Sequence, residues 1–268
     1  MTPTTVGTQR APVQSPGADY RQRLFARYFS TFYGALHTAT PAGLEQDCQT
    51  WKDYFRNLLP QDKLARILDL GCGYGSFLYF LAKEGYSHAV GVDVSGEQVE
   101  AAQKLGVPNV LLGDGRDFLE KHPIEFDCLT AVDLFEHFDK EEILPLLCAV
   151  HRSLKPGGRL ILRVPNADGP FGAKILFSDF SHELAFTPNS IRQVLMMAGF
   201  ECPEVYPEGP RVHGLTSASR WVVWKAIGVL LLLYLGAETG RVRGHILTQN
   251  LIAVALKPGP IPPGEPEQ

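Results

Sequence analysis

Apolar residues recur at steps of three and four between positions 20 and 36: Tyr20, Leu24, Phe25, Tyr28, Phe29, Phe32, Tyr33 and Leu36. That spacing predicts an amphipathic helix. A second helix is predicted through Leu44, Cys48, Trp51, Tyr54, Phe55 and Leu58. Both are expected to pack on a core, the alternative for the first being a lid folded over a site. Short apolar runs then alternate with helical stretches. Strands are predicted over 66–70, 89–94, 109–112, 126–132 and 159–164, and helices over 77–84, 97–105 and 140–154. Such alternation specifies a parallel sheet covered on both faces. A helix over 188–198 closed by Gly199, part of a strand at Val205 and Tyr206, and a strong strand over 247–256 complete the pattern. The run 221–235 is apolar apart from Lys225 and Gly228. It is shorter than the roughly 20 residues a membrane span needs, so a buried or interfacial helix is expected.

Residues 1–19 are rich in Thr, Pro, Gln and Gly, and 257–268 carry five prolines; both ends are expected to be disordered. Between them lies one unit over 20–256. It comprises the two helices (20–60), an α/β core (64–165), an insertion (166–188) and a helical insertion before the last strand (210–245). Hydrophobic residues make up 45% and charged residues 20% of the chain, and the net charge is -4. That is an ordinary globular composition with no feature favouring a nucleic-acid partner. The five cysteines are odd in number, widely spaced and without a CxxC pair, which fits a reducing cytoplasm better than a disulfide framework or structural zinc. No apolar run follows a basic start, so no secretory signal is expected. A cytoplasmic location is predicted, with peripheral membrane contact through 221–235 as an addition. Arg220, Arg241 and Arg243 flank that segment with charges that favour anionic lipid.

The chemistry begins at Ile67-Leu-Asp-Leu-Gly-Cys-Gly-Tyr-Gly-Ser-Phe77. A strand runs into Gly71, Cys72, Gly73 and Gly75 and a helix follows, the arrangement that lets backbone approach a ligand at the carboxyl edge of a sheet. Ser76 stands where a dinucleotide fingerprint would need glycine. Asp69, two residues before the first glycine, suits a ligand with a cationic amino group and is awkward beside a pyrophosphate. Asp93, followed by Val94, lies at the second strand end, where a carboxylate can accept from two ribose hydroxyls. Asp114, before Gly115, closes the third strand and can accept from an adenine amino group; Asp133 closes the fourth. Each acid alone could be a cap or a solvated turn, Asp133 in particular a cap for the helix after it. Four at successive strand ends behind a glycine loop form a constellation.

At these residues the chain resembles the class I S-adenosylmethionine-dependent methyltransferases, especially the group with the ubiquinone-biosynthesis O-methyltransferases. Asp69 to Gly75 looks like the first motif, Asp93 like the second-strand acid, Gly113-Asp114 like the third motif and Leu154-Lys-Pro-Gly-Gly158 like the turn before the fifth strand. The resemblance implies a Rossmann-like methyltransferase fold, a doubly wound, mostly parallel seven-stranded sheet, with S-adenosylmethionine as cofactor. It is strong over 64–165 and is silent on the acceptor.

A hydroxyl acceptor needs a base, and two clusters qualify. In Asp133-Leu-Phe-Glu-His-Phe138, Asp133 and Glu136 share a face if the segment turns helically, with His137 adjacent. Some quinone O-methyltransferases carry a similar run that binds a divalent metal, which implies Asp133, Glu136 and His137 as ligands; otherwise Glu136 and His137 hydrogen-bond the loop. In Ser178-Asp-Phe-Ser-His-Glu183, His182 is the expected base, oriented by Glu183 or Asp179, with His137 its rival. The alternative is that His182 and Glu183 cap the next helix. With Phe186-Thr-Pro188 this block is similar to one in methyltransferases of bacterial polysaccharide and lipopolysaccharide gene clusters. The leading acceptor is therefore a sugar hydroxyl of a glycan or its activated precursor. A quinol or other small-molecule phenol is the runner-up, and a non-catalytic cofactor-binding scaffold the rival of another class.

Overall fold

The computed structural model describes residues 20–34 and 39–259, so Leu36, residues 1–19 and the last nine residues of the proline-rich tail lie outside it. Seven strands form one sheet in the order β3-β2-β1-β4-β5-β7-β6. They are β1 (Ile67–Leu70), β2 (Ala89–Asp93), β3 (Val110–Leu112), β4 (Phe126–Val132), β5 (Leu154–Pro165), β6 (Glu201–Pro207) and β7 (Asn250–Leu256). The first five are parallel, and β7 runs antiparallel between β5 and β6. The chain steps outward from β1 through β2 to β3, then crosses back to β4. The crevice at that reversal, outside the strands' carboxyl ends, is where open α/β sheets bind ligands.

β1 is buried at every position because both faces are covered. Leu68 and Leu70 pack with Leu129, Leu160 and the helix α6 (Lys140–Ser153), which supplies Ile143, Leu146, Leu147 and Val150. Ile67, Cys128 and Ile161 pack on the other face against Phe55 of α2 (Pro41–Phe55) and Phe77, Phe80 and Leu81 of α3 (Ser76–Lys83). Asp139, not Asp133, caps α6, in a box with Glu142.

Four elements differ from the sequence pattern. The first helix is interrupted: α1 (Tyr20–Phe25) buries nothing, and after a turn the chain makes a single π-helical turn over Phe29–Tyr33. Phe25, Tyr28 and Phe32 line a cavity, as the lid alternative expects, while Phe29 packs against the core. A short helix α5 (Gly115–Lys121), between α4 (Gly96–Lys104) and β4, was hidden by its seven-residue length; Asp114 caps it. Within the insertion, α7 (Gly172–Leu176) precedes α8 (Pro188–Met197). Most different is α9 (Leu215–Thr239), 25 residues with none buried. The apolar run 221–235 is therefore neither short nor a core helix: Thr216, Ser217 and Ser219 before it and Glu238 and Thr239 after it continue the helix beyond the run.

Candidate active site

One cavity of about 860 Å³ opens at the carboxyl ends of β1, β2, β4 and β5. Its walls include Asp69, Gly71, Cys72, Gly73, Asp93, Val94, Asp114, Gly115, Asp133, Glu136, His137 and His182. Of the residues picked from sequence, only Gly75 and Glu183 are missing from that lining.

The glycine half builds itself from the strand ends. Gly71, Gly73 and Gly75 all adopt positive φ, a conformation that costs a side chain about 1–2 kcal/mol. The amides of Gly71 and Cys72 donate to the Val92 carbonyl. Gly75 works as a left-handed N-cap for α3, and a Cβ there would lie 2.8 Å from Val107; its role is to shape the loop. Asp93 accepts from the Gly73 amide on one oxygen and from the Ser95 amide on the other, both at 2.8 Å. Each carboxylate oxygen keeps a second lone pair, so Asp93 locks the loop and can still accept from a ligand. Burial raises its pKa, with the two amide bonds opposing. Asp69 is buried in β1 and accepts from the Thr130 hydroxyl at 2.7 Å. Burial pushes it up to about 7, with Asp93 adding to the shift and the Thr130 bond opposing it. Burial also keeps the Cys72 thiol protonated. Asp114 caps α5 through the Arg116 and Asp117 amides at 2.7 and 3.2 Å while lining the cavity.

Four buried side-chain polar atoms among the described residues lack a hydrogen-bond partner: Ser95 Oγ, Gln98 Oε1, Glu136 Oε2 and His151 Nε2. Three of those residues, Ser95, Gln98 and Glu136, line this cavity. An unsatisfied buried group is costly, so the cavity presents donors and acceptors awaiting a polar ligand. Ser95 and Gln98 escaped sequence reasoning, although Ser95 sits in the turn after Asp93 and Gln98 in the first turn of α4. They fit the hydroxyls and heteroatoms of a nucleoside, as a methyl-donor cofactor of that class would require.

The far half brings the two histidine clusters together. The Glu136 carbonyl accepts from the amides of Glu183 and Leu184 at 2.7 and 3.1 Å, zipping the turn Phe135–His137 to the insertion. His137 and His182 then lie 4.9 Å apart, ring to ring. Ser181 Oγ donates to Asp179 at 2.7 Å and meets His137 Nδ1 at 3.0 Å. With its one proton committed to Asp179, Ser181 receives the Nδ1–H of His137. Burial works against the Asp179 charge, but bonds from Tyr28 and Ser181 hold its pKa below the usual range. His182 places Nδ1 3.1 Å from the Ile175 carbonyl, so it too carries its proton on Nδ1 and leaves Nε2 open. Burial, with His182 adding, pushes His137 down to about 4.

Two expectations need correction. Neither Glu183 nor Asp179 orients His182: Glu183 is exposed and bonded to Tyr20, and Asp179 acts on His137 through Ser181. Asp133 does not join Glu136 and His137. The β4–β5 register sets Val132 beside Arg163, and Asp133 pairs with that arginine, which also holds Glu208 at 2.8 Å. Among the described residues, the cluster of ligand atoms within 4.8 Å of one another is Glu136, His137 and His182. Phe25 and Tyr28 pack edge-on to His137, with ring centroids at 5.8 and 6.0 Å.

Comparison with known proteins agrees with this geometry. A ubiquinone biosynthesis O-methyltransferase of Xylella fastidiosa is 31% identical over 136 residues, 49% of this chain and 50% of that protein. A cyclopropane-fatty-acyl-phospholipid synthase of Escherichia coli is 36% identical over 150 residues, 54% of this chain and 38% of that protein. The chain thus spans half or less of these curated relatives. In fold it is similar to a crystallised SAM-dependent methyltransferase of Archaeoglobus fulgidus, with a TM-score of 0.60 at 22% identity, covering 89% of this chain and all of that one. The sequence model of the family described as "Methyltransferase domain" matches residues 44–205, more than half of the chain and the whole glycine half of the cavity, and the chain belongs to that family.

Proposed function

We propose that the chain is an S-adenosylmethionine-dependent O-methyltransferase whose acceptor is a sugar hydroxyl of a glycan or its activated precursor. The observation that carries this reading is the single cavity joining two halves: a glycine loop with Asp69, Asp93, Ser95 and Gln98, and a histidine pair with open Nε2 atoms. When bound, S-adenosylmethionine supplies a methyl group already activated on a sulfonium. Asp93, Ser95 and Gln98 would hold its ribose, Asp114 its adenine amino group, and Asp69 would face its cationic methionine end. A sugar hydroxyl keeps its proton at neutral pH, so its removal has to accompany attack. His182 Nε2 takes that proton, with the Ile175 carbonyl steadying the imidazolium through Nδ1–H. His137 is the poorer base, because burial disfavours its charged form; its open Nε2 would accept from a neighbouring hydroxyl of the acceptor. The similarity of the block 178–188 to methyltransferases of polysaccharide gene clusters supports the glycan. The relatives named ubiquinone O-methyltransferases support a phenolic acceptor as the second reading.

A divalent cation at Glu136, His137 and His182 is the competing use of the same nitrogens. The orphaned Glu136 Oε2 and the mixed carboxylate and imidazole donors fit such an ion. The deciding measurement is release of S-adenosylhomocysteine with sugar and phenol acceptors, in the parent and in His182→Ala and His137→Ala. His182→Ala should lose about 10²–10⁴-fold in turnover with cofactor affinity unchanged. Near-normal turnover rejects the base, and a larger loss in His137→Ala moves the role there.

A further inference from the structure

The helix α9 (Leu215–Thr239) presents an apolar surface that the domain does not cover. Val223, Ile227, Leu230 and Tyr234, spaced by four, three and four, are 50–65% exposed, and Leu233 beside them is 62% exposed. Contiguous apolar surface of this kind marks an interaction site.

Its length alone, about 37 Å at 1.5 Å per residue, would cross the roughly 30 Å hydrocarbon core of a bilayer. The moorings of its two ends forbid that. Before the helix, His213 pairs with Asp53 of α2 at 3.1 Å, and Tyr54 donates to the Gly209 carbonyl at 2.7 Å. After it, His245 and the Ile246 amide meet Asp168, both at 3.3 Å, and Asn166 donates to the Ile246 carbonyl at 2.6 Å. Only residues 240–244 separate Thr239 from His245, a reach of about 20 Å. Both ends therefore stay on the domain's side, and the helix can only lie flat.

Charge and aromatic content say what it lies on. Residues 215–245 hold Arg220, Lys225, Arg241 and Arg243 against Glu238, a net +3, in a chain whose net charge is -4, so the remainder carries -7. Lys225 Nζ lies 5.4 and 5.3 Å from the ring centroids of Trp221 and Trp224. A cation held between indoles suits the headgroup level of a membrane, where amphipathic rings collect and lysine stems snorkel. A segregated basic segment whose exposed apolar side chains, Val222 and Val229 among them, surround the helix is complementary to anionic lipid.

We propose that α9 is an in-plane anchor that seats the protein on a bilayer surface containing anionic phospholipid. It places beside that surface the loop 166–168, which follows the cavity-lining Pro165. The anchor stands whatever the acceptor is.

The test uses the full chain with vesicles of phosphatidylcholine alone and of phosphatidylcholine with 30% phosphatidylglycerol (roughly the anionic content that gives a strong surface potential). Sedimentation should show at least about tenfold stronger partition to the anionic vesicles, weakening as salt is raised. The double variant Ile227→Glu/Leu230→Glu should lose partition to both while retaining S-adenosylmethionine binding. Arg241→Glu/Arg243→Glu should lose only the anionic preference. Fluorescence of Trp221 and Trp224 should be quenched by lipids brominated near the headgroup more than near the bilayer centre. Failure of the parent to sediment overturns the proposal, as does partition indifferent to the Ile227/Leu230 change or quenching strongest at the centre. A dimer in solution that this double variant dissociates, without vesicle binding, would assign the face to a second copy of the chain instead.

Discussion

Replacing Asp69 by Asn should make the ligand-free protein more stable at alkaline pH and a poorer binder of S-adenosylmethionine. The carboxyl is buried, and its folded pKa of about 7 stands against an ordinary value of 3.8. Between these two values the folded state holds a proton that the unfolded state has released, so stability falls as pH rises from about 4 and levels off above about 7. The difference, 7 less 3.8, is about 3 pH units, and at 1.36 kcal/mol each the loss is on the order of 4 kcal/mol. An amide of the same shape can keep the Thr130 bond and has no proton to lose. Urea unfolding of both proteins at pH 5 and pH 8.5 isolates the effect, because other titrating groups shift both alike. Over that interval, 7 less 5 or about 2 pH units of the window, the parent should lose on the order of 3 kcal/mol more than Asp69→Asn. In the parent, cofactor binding should strengthen as pH rises through 7, since the ionised carboxylate is the form that faces a cation. A parent and variant with parallel pH profiles would refute the buried proton, and unchanged affinity in the variant would refute the cationic ligand.

Asp93→Ala should weaken S-adenosylmethionine binding by about 1–3 kcal/mol per lost charged hydrogen bond and loosen the loop that the Gly73 amide ties to it; calorimetry checks this, and parent-like affinity contradicts it. Gly75→Ala should lower stability by at least about 1–2 kcal/mol from its left-handed φ, with the 2.8 Å approach to Val107 adding to it, read as a lower urea midpoint. Exhaustive chelation should leave activity intact if His182 is the base. Loss restored by added manganese or magnesium, together with weaker metal affinity in Glu136→Gln, would instead establish the cation at Glu136, His137 and His182.

The glycine half was legible because its information is local. An apolar run, three glycines and an acid at each strand end lie within a few residues of one another, and the parallel sheet follows from the alternation around them. The histidine half depends on register. Asp133 meets Arg163 only because β4 and β5 pair Val132 with Arg163, and no spacing along the chain announces that partner. His137 and His182 stand 45 positions apart, and two amides on one carbonyl bring them together. Ser181 was in view but had no visible role until Asp179 and His137 closed around it. The apolar run in α9 was plain in the sequence, but hydropathy cannot tell a covered helix from a bare one.

The segment from Tyr20 to Phe32 reaches across three strand ends. Ser30 bonds Glu97 after β2, Arg21 pairs with Glu142 and Asp139 after β4, and Tyr28 bonds Asp179 after β5. Phe25, Tyr28 and Phe32 face the cavity beneath. Lifting this strap would break these bonds, each of which exchanges for water at a net cost of about 0.5–1.5 kcal/mol, more where charged. If strap opening gates product release, repeated turnover should be set by a loop motion of microseconds to milliseconds. Steady-state turnover would slow in viscous solvent while a single methyl transfer from preloaded enzyme kept its rate, and trimming the strap would trade slower chemistry for faster exchange.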